Sequence, residues 1–373
     1  MNNKKVYFIS GGGTGGHIYP AFTVVENLLK DEETDKVYFI GNPKNLEYDI
    51  AQRYENVTFL PVNVTGMPRK ISFSLIKWAF ELLFAYLKAI SYINKYKPDC
   101  AFTTGGYVSA PIVLASMTKK LPYMIHDCDS VPGLVSKMAA PKANAVSVAF
   151  ETSKSVLKSK NIIFNGNPVR EAFFTVTKEQ ARNQLNIDSK KLVIFAMGGS
   201  QGAKTINTAM VEIMETLSEN SDNYIILQTG KNKYEEVISE LDEIFPDYKN
   251  KSNILVRPYF DDMVYPLKAC DIVIARAGSV SLSEILDCNA PSILIPYPYA
   301  AQDHQRKNAK EMVERGTSLY LEDAECNGKN LLEKINELVS DNLKLNKMRE
   351  NAKSFATKNP TQEIVNQLKS IIK

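Results

Sequence analysis

The sequence predicts an α/β protein of two doubly wound, Rossmann-like domains with a cleft between them. Three observations predict it. Short β-rich runs alternate with amphipathic helical patterns along the chain, which implies parallel sheets covered on both faces. Two apolar runs, 5–9 and 192–197, each feed a glycine-rich loop and then a helix. The length, 373 residues, favours two domains at about 150 residues each.

The elements follow in order. Residues 5–9 form the first strand, and glycines end it. Pro20 suits the first turn of the next helix, whose apolar face is Ala21, Val24, Val25, Leu28 and Leu29. Strands follow at 36–40, 57–62, 100–103, 122–126 and 145–148, with helices in the gaps. The second half repeats the scheme with a strand at 192–197, a glycine loop at 198–202 and a helix from about Ala203. Further strands are expected at 224–228, 254–257, 271–275 and 292–296. The turn-forming cluster 165–170, Asn-Gly-Asn-Pro-Val-Arg, marks the joint. The expected division is 1–164 and 165–344. The last helical segment, about 345–373 and broken near Pro360, is assigned to the first domain, although its pattern alone fits either.

Apolar residues make up 44% and charged residues 23%, so the chain has the material for a core. Lys plus Arg number 45 and Asp plus Glu 42; a net +3 is too balanced for a protein that coats nucleic acid. The five cysteines include no C-x-x-C pair, and no two of the three histidines lie at i, i+4. This argues against a zinc site or a disulfide framework and points to the cytosol. The apolar run behind the basic N-terminus, residues 6–9, is too short for a signal-peptide core. No uncharged stretch approaches the ~18 residues of a spanning helix.

Gly11-x-Gly13-x-x-Gly16 matches the dinucleotide fingerprint, but the next strand ends in Gly41-Asn42 where a nicotinamide domain needs an acid for the ribose. Two readings remain. One is a loop whose backbone N–H groups approach an anionic or hydroxyl-rich ligand at a helix N-terminus; the other is a plain tight turn. His17 closes this loop at the expected carboxyl edge of the sheet, and the residues alone allow it a proton-transfer role or a structural one. Residues 198–205, G-G-S-Q-G-A-K-T, miss the Walker loop because Ala203 precedes Lys204. Ser200 and the surrounding amides remain candidate ligand contacts. Gly278 and three serines open a helix whose N-terminus suits a diphosphate, with Glu284 one turn in to meet ribose hydroxyls. An ordinary serine-capped helix has the same pattern. Asp127-Cys128-Asp129 spells D-x-D with no other hard-oxygen ligands nearby, so no metal is inferred. Residues 69–93 are rich in Phe, Leu, Ile and Tyr, with charges after Lys70 confined to Lys77, Glu81 and Lys88. So wide an apolar face suits a membrane interface or a buried core helix; the three charges argue against a spanning one.

Together these segments resemble the MurG family of bacterial peptidoglycan glycosyltransferases, of the two-domain GT-B fold. The resemblance runs over nearly the whole chain. It is carried in the first half by Gly12-Gly13-Thr14-Gly15-Gly16-His17, Lys97-Pro98-Asp99 with Gly105-Gly106-Tyr107-Val108-Ser109, His126 with Pro132-Gly133-Leu134, and Gly166-Asn167-Pro168-Val169-Arg170. In the second half it is carried by Gly198 to Ala203, Arg276-Ala277-Gly278, Ser283-Glu284, and His304-Gln305 with Asn308-Ala309.

The resemblance implies transfer of N-acetylglucosamine from UDP-N-acetylglucosamine to the 4-hydroxyl of the muramoyl sugar of lipid I. The products are lipid II and UDP, with inversion. His17 is then the first candidate base and Asp127 the second. Thr14, Gly15 and Gly16 approach the sugar diphosphate, Arg170 and Ser200 contact the nucleotide, and the backbone at Phe260 reads uracil. The amides of Ser279 to Ser281 and the dipole of the following helix take the diphosphate charge, Val280, Leu282 and Ser283 are further donor-binding residues, Glu284 holds the ribose and Gln305 the sugar hydroxyls. Asp129 stands where some members have Asn, and Tyr107 falls on the acceptor side. No cofactor or metal is implied, because amides and a helix dipole meet the departing diphosphate. The polyprenyl acceptor implies a peripheral position on the cytoplasmic side of the cell membrane. Lys70, Phe73, Lys77, Trp78, Phe80 and Phe84 would touch anionic lipid there, and the division or elongation machinery is a candidate partner. Another GT-B UDP-sugar transferase, or a UDP-N-acetylglucosamine 2-epimerase, is the nearest alternative.

Overall fold

The computed structural model describes residues 4–68, 73–356 and 359–372. The chain divides into two compact units, Met1–Arg170 with Lys358–Lys373, and Glu171–Thr357.

The first unit opens with β1 (Lys5–Ser10), α1 (Gly15–Leu29), β2 (Thr34–Gly41), α2 (Leu46–Ala51), β3 (Val57–Pro61) and α3 (Phe73–Tyr96). It continues with β4 (Cys100–Thr103), α4 (Ala110–Lys119), β5 (Tyr123–Asp127), α5 (Leu134–Ala139), β6 (Ala145–Val148), α6 (Glu151–Val156) and β7 (Ile162–Phe164). Among the described residues its seven strands form one parallel sheet in the order β3-β2-β1-β4-β5-β6-β7. The order reverses at β1, with β2 on one side and β4 on the other. Such a switch opens a crevice beyond the carboxyl ends of the strands, and the glycine loop after β1 lies there.

The second unit begins with α7 (Ala172–Thr175), α8 (Lys178–Gln184), β8 (Leu192–Met197), α9 (Lys204–Glu219), β9 (Asn223–Gln228) and α10 (Tyr234–Ile244). Next come β10 (Ile254–Arg257), α11 (Val264–Ala269), β11 (Ile272–Ala275), α12 (Ser279–Asp287), β12 (Ser292–Leu294), α13 (His304–Glu314), β13 (Ser318–Tyr320), α14 (Gly328–Val339) and α15 (Asn342–Phe355). Its six-stranded parallel sheet, again among the described residues, runs β10-β9-β8-β11-β12-β13. The reversal falls at β8, whose carboxyl end carries the second glycine loop. Both units are therefore Rossmann-like.

Four differences from the sequence reading have local causes. The first helix starts at Gly15, not near Pro20, because the Thr14 carbonyl already accepts from the amides of His17 (3.0 Å) and Ile18 (3.1 Å). Pro20 sits inside α1, where it cannot donate back to Gly16. Strands β7 and β13 were not expected; each is three residues long and at a sheet edge, too short to show a period. The cluster 165–170 stays with the first unit.

Fourth, the C-terminal helices part company. Leu345 and Met348 of α15 are buried in the second unit's core, and Arg349 reaches Asp271 at 2.9 Å. Only α16 (Pro360–Ser370) returns to the first unit. There Ile364, Val365 and Leu368 pack against the α1 side of the sheet. The Thr361 hydroxyl accepts from the Val169 amide (3.0 Å) and donates to its carbonyl (2.7 Å).

Asp271 organises the amino edge of the second sheet. One oxygen meets Lys178 (2.5 Å) and Arg349 (2.9 Å); the other accepts from Arg182 (2.8 Å) and the Val193 amide (2.8 Å). The Arg182 side chain is only 7% exposed. Removing the carboxylate strands a buried guanidinium, which costs about 3 kcal/mol or more. Asp271→Ala should lower the second unit's denaturant midpoint accordingly and leave the first unit's transition in place.

Candidate active site

In the first unit the site is built where backbone passes backbone at the switch point. Gly106 has φ +78°, and a Cβ there would fall on the Gly12 carbonyl oxygen, so only glycine lets the β4 loop cross the β1 loop. The Thr104 hydroxyl donates to the His17 carbonyl at 2.5 Å. A Cβ on Gly105 would come within 3.3 Å of the His17 ring and 3.9 Å of the Ser136 hydroxyl. His17 is half-buried, and its Nδ1 lies 3.1 Å from the hydroxyl of Thr14, the residue that precedes α1. Thr14, Gly15, Gly16 and His17 thus form the first turn of one helix end, where the His17 amide already bonds the Thr14 carbonyl and the amides of Gly15 and Gly16 are the ones a helix start leaves unpaired.

Asp127 ends β5 at the same edge. Its Oδ2 accepts from the Gly133 amide at 3.3 Å, while Oδ1 is buried with no partner among the described residues. Burial pushes its carboxyl up to about 6; the Ser136 hydroxyl and two backbone amides oppose this, and the charge of Asp129 adds to it. Asp129 itself is half-buried, and its carbonyl accepts from Ser153 (2.8 Å). Tyr107 lies against Gly13, and its hydroxyl accepts from Asn45 at 3.2 Å.

Two residues without an assigned role in the sequence reading stand behind this edge. His126 is fully buried and held neutral, pushed down to about 4 by desolvation against the opposing Asn167 hydrogen bond. Glu47 is also fully buried. It accepts from the Asn42 amide (3.2 Å) and Asn45 Nδ2 (3.1 Å), while its Oε2 has no partner among the described residues. The acid missing from the end of the second strand thus lies six residues later, packed under Gly12. Asn45, shared by Glu47 and Tyr107, joins it to the site. Spacing from the strand end could not show this.

Arg170 closes the first unit. Burial raises the Tyr54 phenol, a Glu26 hydrogen bond adds to that, and Arg170 is among the charges opposing it.

Helix α3 exposes the wide apolar face that the residues alone left ambiguous. Phe73 is 91% exposed, and Ile76, Phe80, Leu83, Phe84 and Leu87 continue the row. On the other side Ala85, Ala89 and Ile93 are buried in the core that includes α4 residues. Lys77 is exposed, 4.0 Å from Glu81. Trp78 departs from the expected row. It is half-buried, and its indole N–H donates to the Thr65 carbonyl at 3.0 Å, so it anchors the helix to the 62–68 loop. Lys70 lies outside the described residues.

The second unit repeats the close crossing. Gly202, at φ +72°, has no room for a Cβ beside the Thr229 carbonyl. Ser200 is exposed on this loop, whereas Lys204 turns away to Glu236 at 2.7 Å. Gln228, missed by the sequence reading, is buried at the end of β9; its Oε1 accepts from the Phe260 amide (2.9 Å), and its Nε2 donates to the Gly199 carbonyl (3.4 Å). Phe260 can therefore offer a base its carbonyl but not its amide.

The start of α12 is where the diphosphate seat is expected. The Leu282 amide donates to the Gly278 carbonyl at 2.9 Å, and the Ser283 hydroxyl to the Ser279 carbonyl at 3.1 Å. The amides of Ser279, Val280 and Ser281 are the ones a helix start leaves unpaired. Asn308 holds this turn by donating to the Ala277 carbonyl (3.2 Å). Glu284 lies one turn into α12, half-buried. Gln305 accepts from the Tyr297 amide through Oε1 (2.9 Å).

Family models add the decisive comparison. Residues 7–148 match the glycosyltransferase family 28 N-terminal domain, and residues 193–368 match its C-terminal domain. The chain belongs to glycosyltransferase family 28. A family member from Caldanaerobacter subterraneus, named UDP-N-acetylglucosamine–N-acetylmuramyl-(pentapeptide) pyrophosphoryl-undecaprenol N-acetylglucosamine transferase, is 35% identical over 98% of this chain and 99% of its own. The fold matches the crystal structure of Acinetobacter baumannii MurG with TM-score 0.78 and 24% identity, covering 98% of this chain and 99% of that one. It also matches a UDP-N-acetylglucosamine 2-epimerase from Neisseria meningitidis bound to UDP-N-acetylglucosamine (TM-score 0.66, 15% identity, 98% and 100% covered), a likeness of fold alone. The family 28 assignment makes the chain a glycosyltransferase of GT-B fold.

The Asp127 environment has a stability consequence. A carboxyl whose folded value is raised binds its proton more tightly in the native state, so stability is greatest below pH 3.8 and falls as pH rises toward 6. Asp127→Asn mimics the protonated form. It should stabilise the first unit by up to about 3 kcal/mol at pH 8 and by almost nothing below pH 4, read from denaturant melts.

Proposed function

We propose that this chain transfers N-acetylglucosamine from UDP-N-acetylglucosamine to the 4-hydroxyl of the muramoyl-pentapeptide of undecaprenyl-linked lipid I, forming lipid II and UDP with inversion. The observation that carries this is the 35% identity to a relative of that activity over 98% of the chain. The first unit serves the acceptor and the second the donor.

Inversion in one displacement needs a base for the acceptor hydroxyl and stabilisation of the leaving diphosphate. His17 is the base. With Nδ1–H donating to the Thr14 hydroxyl, its Nε2 keeps a lone pair for the incoming proton. Asp127 is a second acceptor at the same edge, favoured by its unpartnered oxygen. Both lose this capacity on protonation; for Asp127 the loss comes as pH falls through about 6. On the donor side the amides of Ser279, Val280 and Ser281 and the α12 dipole take up the diphosphate charge. Glu284 accepts from ribose hydroxyls, the Gln305 NH2 donates to the sugar, and the Phe260 carbonyl accepts from uracil. In the second unit Ser200 contacts the nucleotide; in the first, Arg170 contacts it, Thr14, Gly15 and Gly16 approach the sugar diphosphate, Asp129 is a donor-side residue and Tyr107 an acceptor-side one.

Transfer of labelled sugar from UDP-N-acetylglucosamine to purified lipid I tests the reading directly. Turnover is expected with lipid I, and transfer to a water-soluble sugar in its place would overturn it. In the same assay His17→Ala should lower kcat at least about a hundredfold while UDP affinity changes by less than about threefold, since a base acts only in the transition state.

The exposed row on α3 is the membrane contact, holding the enzyme at the cytoplasmic face beside its lipid-borne acceptor. Among the described residues no helix is long and apolar enough to cross a membrane. Phe80→Ser with Phe84→Ser should reduce sedimentation with anionic vesicles severalfold, at about 25 cal/mol per Å² of apolar area withdrawn. Trp78→Ser should instead loosen the 62–68 loop. Unchanged sedimentation of the Phe80/Phe84 double variant would remove α3 from this role.

A further inference from the structure

Inside the first unit a line of polar side chains joins the C-terminal helix to the loop that follows β5. Gln367 Oε1 on α16 accepts from Asn165 Nδ2 at 2.8 Å, and Asn165 Nδ2 also meets Ser147 Oγ on β6 at 3.0 Å. Ser147 Oγ is 2.9 Å from His126 Nδ1, and His126 Nε2 is 2.9 Å from Asn167 Oδ1. Asn167 Nδ2 then donates to the Cys128 carbonyl at 3.2 Å. All five side chains are buried.

The direction of every bond follows from the donors and acceptors present. The Asn167 oxygen can only accept, so His126 carries its proton on Nε2. Its bare Nδ1 accepts from the Ser147 hydroxyl, whose oxygen accepts from Asn165. The other Asn165 proton goes to Gln367. The line therefore runs one way from Asn165 to Cys128, with a fixed anchor on α16. Desolvation keeps His126 neutral, as this order requires.

At the far end, three consecutive carbonyls are gripped from three directions. Ala149 N–H donates to Asp127 (2.9 Å), Asn167 to Cys128, and the Ser153 hydroxyl to Asp129 (2.8 Å). The middle grip alone is tied to a residue some two hundred positions away.

We propose that this line is a strut through which α16 holds the Asp127–Gly133 segment in its working position, making Gln367, Asn165, Ser147, His126 and Asn167 positioning residues of the transfer reaction. The reaction part of this rests on the function proposed above. Beyond the apolar packing that holds it on the first unit, α16 thereby completes the support of the Asp127–Gly133 segment. The strut also gives α16 a graded effect on rate, because catalytic geometry displaced by a fraction of an ångström loses rate steeply.

Ser147→Ala and Gln367→Met cut the line within the interior and keep the volume roughly constant. Gln367→Glu keeps the acceptor for Asn165. In the full-length protein, hydrogen exchange of the amides of 128–131 and Gly133 should rise about tenfold in the first two variants, with β1 and β4 unchanged. In both, kcat should fall about tenfold with KM for UDP-N-acetylglucosamine within about twofold. Gln367→Glu should recover most of both effects. Unchanged kcat and unchanged exchange in both cutting variants would overturn the strut, as would exchange rising evenly across the first unit. Exchange needs no turnover, so absence of transferase activity in the unmodified protein would sink the functional reading while the exchange data still judge the strut.

Discussion

Both units depend on one steric constraint: two loops at a sheet's switch point pass so closely that neither can carry a side chain. In the first unit the Gly106 backbone lies on the Gly12 carbonyl; in the second, Gly202 and Gly230 interleave beside Thr229. These crossings let the loops after β1 and β8 lie flat against their neighbours and leave the helix starts behind them open. Without them His17 would lose the Thr104 hydrogen bond that fixes its backbone. Ser200 likewise rides on a loop whose path is set by the Gln228 link to Gly199.

Around these crossings the protein prefers oriented dipoles to paired charges. The helix α12 start offers amides, Gln305 an NH2, and Phe260 a carbonyl, each set by a hydrogen bond on its other side. Carboxylates near the first crossing are buried and incompletely satisfied, as in Asp127 and Glu47. The dense ion pairing is elsewhere, on Asp271 at the amino edge of the second sheet. At the carboxyl end of β11 a close pair, Arg276 with Asp323 at 2.5 Å, stands just before the start of α12.

Much of this was legible in the chain. Strands β4, β6, β8 and β10 fall where their apolar runs end, because a buried parallel strand leaves a continuous apolar signature. The two glycine loops were legible because each apolar strand runs directly into a glycine cluster and then a helix. Edge strands β7 and β13 were not, being too short to declare a period. That the Leu282 amide and the Ser283 hydroxyl bond back into the helix was not legible, since only the hydrogen bonds show it. Trp78 was read as part of the exposed row because helical spacing cannot tell an outward indole from one bonded to a loop.

By itself, the sequence determined the two-fold repeat of strand, glycine loop and helix, the family, and the residue types at both carboxyl edges, because these are carried by local periodicity and by motifs in contiguous segments. Tertiary structure alone decided that α15 and α16 belong to different units, that Glu47 lies beneath Gly12, that α3 shows its aromatic row to solvent, and that His126 stands in a hydrogen-bonded line that runs one way from Asn165 to Cys128 and is anchored by Gln367. Each of these is a pairing between groups far apart in the chain. Such pairings are selected by burial and by the need to satisfy buried donors and acceptors, and neither is written in the spacing of residues along one segment.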